Sequence, residues 1–343
     1  MQSIYNYTEE MWKEYLINMG EKPFRASQMM EWFYRHRIHA FQEMSNISKK
    51  FIAHLEENFI IDSLKCVTRQ ISSDGTQKFL FELSDGNLIE TVLMNHNYGY
   101  SVCVTSEVGC NMGCVFCASG MKKKLRNLTT AEMVLQVLMV STLAEIRVSH
   151  VVVMGIGEPF DNYDNVINFL KIINHAKGLE IGARHITVST CGLVPKIREY
   201  ASFDLQVNLA ISLHAPKNEI RDQIMPINKR YPIEELMDAV KYYISITGRR
   251  VTFEYILLRD INDTKECANA LADLIGKENI YVNLIPYNEV IEKPYKRSTK
   301  DSMVAFFDVL KKRRINVQLR REQGTDIDAA CGQLRSKHMN KGN

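Results

Sequence analysis

The sequence predicts an α/β protein, a partial (β/α)6 TIM-like barrel with a small helical N-terminal domain. From about residue 100, short β-rich runs alternate with longer amphipathic stretches, the pattern of repeated βα units around a parallel sheet. The first 70 residues instead place apolar side chains at helical spacing. At 343 residues the chain exceeds the ~100–200 usual for one domain, and its 45% hydrophobic content supplies a sizeable core. With 24% charged residues, that composition excludes disordered, collagen-like and low-complexity classes.

Met11, Tyr15 and Leu16, then Met29, Met30, Trp32 and Phe33, mark the helices of a small bundle, expected over residues 1–75 as an accessory domain. Phe79 to Leu83, then Ser84-Asp85-Gly86-Asn87, then Leu88 to Leu93 reads as strand, turn and strand. Residues 76–95 are therefore expected to be a hairpin linker. Six barrel strands follow, at Ser101–Val108, His150–Gly155, His185–Thr190, Leu205–Ser212, Val251–Leu258 and Tyr281–Tyr287. Helices are expected between them at Ala131–Ala144, Tyr163–Ala176, Ile233–Thr247, Lys265–Gly276 and Ser302–Lys312. Thr129 with Glu132 forms a capping box at the first helix, and Pro232 suits the first turn of the third. The barrel is expected over residues 96–335. An open doubly wound sheet shares this periodicity, because strand order is not written in it. Residues 336–343 are expected to be a disordered basic tail.

Lysine plus arginine exceed aspartate plus glutamate by 43 to 40, a formal charge of +3, so no global nucleic-acid signature exists. Positive charge is clustered instead, at Lys122, Lys123, Lys124 and Arg126, at Arg249 and Arg250, and at Lys311, Lys312, Arg313 and Arg314. The alternative for each run is a solvated helix end or loop. The most apolar stretch, Met133 to Ala144, is interrupted by Gln136, Ser141 and Thr142 and falls short of the ~20 residues a membrane span needs. Glu9 and Glu10 stand where a secretory signal would be basic and apolar. The expectation is a cytoplasmic protein that does not enter a membrane.

Eight cysteines in a cytosolic chain point to metal ligands or catalytic thiols rather than a disulfide scaffold. Cys110, Cys114 and Cys117 place three thiolate donors on one short loop directly after a strand, where βα barrels carry their sites. A structural zinc site takes four protein ligands, often from paired Cys-x-x-Cys knuckles, and no second knuckle is present. Three cysteines suit a [4Fe–4S] cluster with one iron left open for an exogenous ligand.

The spacing Cys-x-x-x-Cys-x-x-Cys, with Phe116 before the last cysteine, resembles the radical S-adenosylmethionine superfamily. Met154-Gly155-Ile156-Gly157-Glu158-Pro159 is similar to its Gly-Glu-Pro motif. Gly324 to Leu334, with Val188-Ser189-Thr190-Cys191-Gly192, Ile211 to Pro216, Met225-Pro226-Ile227-Asn228 and Asn283 to Asn288, resembles the RlmN/Cfr adenosine methyltransferases across essentially the whole chain. The resemblance implies a [4Fe–4S] cluster on Cys110, Cys114 and Cys117. It implies two molecules of S-adenosyl-L-methionine per turnover, contacted by Gly157, Glu158, Ser189, Ser212, Leu213, His214 and Asn288. It further implies that Cys331 carries the methyl group, that Cys103 closes a disulfide with it as product leaves, and that Glu90 is the general base.

The activity so implied is methylation of carbon 2 of an adenosine in 23S rRNA and in certain tRNAs. The implied partners are those RNAs, which the resemblance also has the accessory domain of residues 1–75 bind, and an electron donor such as flavodoxin or ferredoxin, with the enzyme a monomer. A Cfr-like enzyme would methylate carbon 8, and Pro159 after Gly157-Glu158 favours the RlmN type. Rivals of another class are a glycyl-radical activase, which leaves Cys331 and Cys103 unexplained, and an RNA-binding protein with a structural cluster, which calls for a fourth cluster cysteine. Lys122 to Lys124 are expected to grip RNA phosphates. Cys267 is expected in the core, and Cys66 and Cys191 have no assigned role.

Overall fold

The computed structural model describes residues 1–121, 123–290 and 292–327. Cys331 and the expected basic tail lie outside them.

The N-terminal part holds α1 (Glu9–Asn18), α2 (Arg25–Glu31) and α3 (Lys49–Asn58). Thr8 and Ser48 cap α1 and α3 by accepting the amide protons of Met11 and Phe51, which saves each first turn an unpaired donor. The core of this part is aromatic: Trp12 lies 5.0 Å from Phe59 and 4.6 Å from Tyr7, centroid to centroid. A two-residue parallel pairing, β1 (Gln2–Ser3) with β2 (Phe59–Ile60), ties its ends together.

The helical spacing stops earlier than expected, at Asn58. Residues 65–71 form β3, the edge strand of a large sheet. Its sequence, Lys-Cys-Val-Thr-Arg-Gln-Ile, is polar enough to leave a sheet edge in water without inviting further pairing. A hairpin forms within the large sheet: β4 (Gln77–Glu82) pairs antiparallel with β5 (Leu88–His96), and Gly86 supplies the turn's positive φ of 79°. β5 then pairs with β6 (Gly99–Cys103).

The expected strand Ser101–Val108 is broken. After Cys103 the chain leaves the sheet and resumes as β7 (Glu107–Val108), paired with β8 (Arg126–Asn127). The break is held by Gln136 of α4 (Thr130–Leu143). Gln136 is fully buried, yet it accepts from Thr91 Oγ1 and the Thr105 amide at 2.9 and 2.8 Å and donates to the Thr105 carbonyl at 3.0 Å. Left unpaired, such a group would cost about 1–3 kcal/mol. The capping box at α4 is formed, Thr129 and Glu132 bonding reciprocally at 3.2 and 2.8 Å.

Strands β9 (Val148–Val153), β10 (Ile186–Thr190), β11 (Asn208–Ser212), β12 (Val251–Leu257), β13 (Ile280–Pro286) and β14 (Asn316–Leu319) continue from β6, each parallel to the last. Strand order follows chain order with no reversal, which excludes the doubly wound alternative and gives the open, TIM-like partial barrel. The six expected parallel strands are present and β14 is a seventh. The connections run through α5 (Tyr163–Asn174), α6 (Val194–Tyr200), α7 (Asn218–Ile224), α8 (Ile233–Thr247), α9 (Lys265–Ile275) and α10 (Lys300–Lys312). Their apolar faces and the sheet form one continuous core. No helix among the described residues is long and apolar enough to cross a membrane.

Candidate active site

The C-terminal ends of the parallel strands surround a cleft of about 320 Å³, where the ends of a βα barrel place its chemistry. Cys110, Cys114 and Cys117 line it from the loop after β7. Gly109 enters this loop at φ +86°, and a Cβ there would sit 2.3 Å from the Lys123 carbonyl oxygen, so only glycine lets the chain close. The Val115 amide donates to the Ile224 carbonyl and the Tyr287 hydroxyl to the Phe116 carbonyl, at 3.1 and 3.2 Å, pinning the loop to α7 and to the end of β13.

Burial pushes the Cys110 thiol up to about 12 and Cys114 higher still, with the neighbouring cysteines and Glu158 acting in the same direction. Thiols held so high, as at Cys110 and Cys114, give up their protons only to a strong positive centre. Among the described residues no three His, Cys, Asp or Glu side chains converge on one point as ligands of a single ion would. Three thiols spread along one loop fit a multi-iron cluster with an open iron.

Glu158 faces the same cleft, buried at the end of β9's following turn. Its Oε1 accepts from the Phe160 amide at 3.0 Å and its Oε2 from the Cys191 amide at 2.7 Å. Burial raises its pKa, and those bonds oppose the rise without cancelling it. Cys191, without a role in the sequence reading, thus aims Glu158 through its backbone. Gly157 sits at φ +112°, and a Cβ would come within 2.6 Å of Glu107 Cγ and 2.7 Å of Ser106 Oγ.

Glu107 underlies this turn. It accepts from the Glu158 amide at 3.0 Å and pairs with Lys124 Nζ at 2.6 Å, and burial raises its pKa to about 7 against the pull of Lys124. Lys124 also pairs with Asp161 at 2.7 Å, and Arg126 pairs with Asp85 and Glu132 at 2.7 and 2.8 Å. Of the run Lys122 to Lys124 expected to grip RNA phosphates, Lys124 is thus engaged within the protein, as is the nearby Arg126.

Ser189 and Ser212, at the ends of β10 and β11, line the cleft with their hydroxyls 3.4 Å apart. His214 lines it in a left-handed conformation at φ +57°. Its Nδ1 accepts from the Ile256 amide at 3.1 Å, and burial drives its pKa down to about 3, so the ring is neutral and carries its proton on Nε2. Phe116 meets that ring edge-on at 5.0 Å. Asn288 closes the cleft after β13. Leu213 is elsewhere: its side chain is fully buried in the core, so any contact it makes runs through its backbone.

Glu90 and Cys103 do not line the cleft. Glu90, on β5, is buried with Lys78 of β4, their charged atoms 2.9 Å apart. Cys103, at the end of β6, is a free cysteine whose buried thiol is pushed up to about 11. Arg320 and Lys78 oppose that rise and Glu90 adds to it, which places these groups in one electrostatic neighbourhood. The expected Cys103–Cys331 pairing involves a residue outside the described ones. Sequence reasoning missed Glu254 and Arg320, which line the cleft from two separate segments.

Comparison with known proteins adds to this geometry. Residues 105–275 match the radical SAM superfamily, and residues 2–61 match the ribosomal RNA large subunit methyltransferase N-terminal domain. The chain is 60% identical, over 99% of its length and 98% of the relative's, to a protein of Enterococcus faecalis named "Probable dual-specificity RNA methyltransferase RlmN". A protein of that name from Acholeplasma laidlawii is 55% identical over 98% of this chain and 99% of its own. The crystal structure of a radical SAM methyltransferase from Sphaerobacter thermophilus superposes with a TM-score of 0.90 at 40% identity, covering 97% of this chain and 99% of that one. The chain belongs to the RlmN family of radical SAM RNA methyltransferases.

Proposed function

We propose that this enzyme methylates carbon 2 of an adenosine in 23S ribosomal RNA and in certain transfer RNAs, with Cys331 as the methyl carrier. The reading is carried by one observation: the three-cysteine loop and buried Glu158 share a single cleft at the strand ends, in a chain that matches dual-specificity RNA methyltransferases end to end. Carbon 2 of adenine is electrophilic and bears no acidic proton, so ordinary attack by the base on a methyl donor is closed to it. A [4Fe–4S] cluster on Cys110, Cys114 and Cys117 with S-adenosyl-L-methionine, two molecules per turnover, supplies the methyl group and the radical chemistry when bound.

The remaining work falls to side chains. Glu158 holds the cofactor's amino group, a cation that its buried carboxylate suits. Gly157 lets the backbone approach closely, and Ser189, Ser212, the Nε2–H of His214 and Asn288 contact ribose, carboxylate and adenine, with Leu213 contributing its backbone. Cys331 sulfur accepts a methyl group, loses one hydrogen atom from it and bonds through that carbon to the adenine. Glu90 takes the ring proton. The Cys103 thiolate then attacks Cys331 sulfur, so that an S–S bond forms as the S–C bond breaks, and the released methylene carbon takes the electron pair and a proton to become the methyl group of the base. A flavodoxin or ferredoxin donates electrons, and the enzyme works as a monomer in the cytoplasm.

Anaerobically reconstituted and reduced protein, incubated with S-adenosyl-L-methionine and protein-free ribosomal RNA, is expected to yield 2-methyladenosine on nucleoside digestion and mass spectrometry. 8-Methyladenosine would instead assign a Cfr-like activity. Release of 5′-deoxyadenosine with neither product would remove the RNA assignment and leave the superfamily one.

A further inference from the structure

The barrel has a second mouth. At the N-terminal ends of the strands, away from the cysteine loop, lies a cavity of about 580 Å³, within the range that holds a small molecule or nucleotide. Met154, Glu254 and Arg320 line both this cavity and the cleft, so only these side chains stand between the two spaces. Its lining includes three guanidinium groups, from Arg250, Arg320 and Arg321, against one carboxylate, Glu254. That excess suits a polyanion.

His96 and Tyr98 line it, and from them a run of four rings in contact continues away through His150 to His185. His96 and Tyr98 stack at 4.6 Å and 12°, Tyr98 meets His150 at 4.8 Å, and His150 stacks on His185 at 4.3 Å and 17°. Burial and neighbouring positive charge, from Arg320 at His96 and from His185 and His96 at His150, lower the pKa of both histidines and favour neutral rings at physiological pH. Tyr98 is 64% exposed, a large aromatic face turned outward at the β5–β6 turn. Elsewhere in the lining the Arg250 guanidinium lies over the Tyr281 ring, 4.8 Å from its centroid.

We propose that this lower mouth admits the target nucleotide and that Tyr98, backed by His96 and His150, stacks on the base next to the extruded adenosine of a single-stranded RNA loop. This rests on the RNA-methylating reading above. An adenine can be reached only after it leaves its stack, and that cost is recovered when flanking bases stack on protein rings. Rings accept any base, so a loop in ribosomal RNA and one in transfer RNA can use the same ladder. Arg250 and Arg321 take the adjoining phosphates, while the adenine passes inward past Met154 toward the cleft.

The test uses cluster-loaded enzyme, its loading verified by visible absorption, and a hairpin RNA substrate with 2-aminopurine beside the target adenosine. Binding to the parent enzyme quenches that fluorophore, and Tyr98→Ala abolishes the quenching and raises KM for RNA about tenfold or more, in line with the loss of one base–aromatic stack. Tyr98→Phe keeps both parent values. Arg250→Glu, which leaves Tyr98 in place, raises KM and flattens its dependence on salt by about one phosphate contact. Parent KM and parent quenching in Tyr98→Ala overturn the proposal while the function stands. No methyladenosine from the parent enzyme removes the function itself.

Discussion

Lys78 Nζ lies 2.9 Å from the Glu90 carboxylate, and both side chains are almost wholly shut off from water. Charges in such a place persist only as partners, and removing one partner typically costs about 3–5 kcal/mol because the other is left in a poorly solvating interior. The proposed base is thus held by a cross-strand pair between β4 and β5.

Lys78→Met is therefore expected to destabilise the protein by about 3–5 kcal/mol in urea unfolding, whereas Lys78→Met combined with Glu90→Gln recovers part of the loss. Equal destabilisation in the single and double variants would show that the two residues act independently. In the methylation assay Glu90→Gln is expected to stall after the adenine has bonded to Cys331, leaving RNA covalently attached to protein on a denaturing gel.

Gly157→Ala tests the turn that presents Glu158. The new Cβ meets Glu107 and Ser106 closer than van der Waals contact allows, at a φ that L-residues rarely adopt. A loss of about 1–3 kcal/mol is expected from the backbone alone. Binding of S-adenosyl-L-methionine, followed by equilibrium dialysis on cluster-loaded protein, is expected to weaken at least tenfold.

His214 has a folded-state pKa of about 3, below its ordinary value. The unfolded chain takes up a proton near pH 6.5 that the folded chain refuses, so the neutral ring's contribution is whole above about pH 6.5 and is lost as pH falls toward 3. His214→Gln is expected to unfold with a shallower decline in stability between pH 6.5 and 5 than the parent. Parallel declines would place the titrating group elsewhere.

Charge reversal at Lys124 gives a distinctive result. Because Lys124 is paired with Glu107 and Asp161, Lys124→Glu is expected to loosen the turn under Glu158 and the loop before it. Iron bound per protein after reconstitution should fall, with RNA affinity of the folded fraction unchanged. Reduced RNA affinity with full iron content would restore the phosphate-grip reading of this run.

What the sequence made legible was whatever is periodic or local. The six parallel strands carry β-rich apolar runs long enough to recognise, and α4 announces itself through Thr129 and Glu132. The seventh strand, β14, is four residues long with only Val317 buried, and α6 and α7 span seven residues each, too short for a helical period to emerge. The cysteine loop was legible because its three thiols are neighbours in sequence. Glu254 and Arg320 were not, since 66 positions separate them and only the closing of the barrel brings both to the cleft. Lys124 misled for the complementary reason: adjacent lysines look like a surface patch until the fold supplies Glu107 and Asp161.

The most direct test of the relay through Cys331 is an isotope measurement with S-adenosyl-L-methionine whose methyl group bears three deuteriums. One hydrogen must leave the sulfur-bound methyl group before carbon–carbon bonding, so the account predicts 2-methyladenosine with two deuteriums and 5′-deoxyadenosine with one. A methyladenosine that keeps all three deuteriums would mean direct transfer of an intact methyl group and would contradict it.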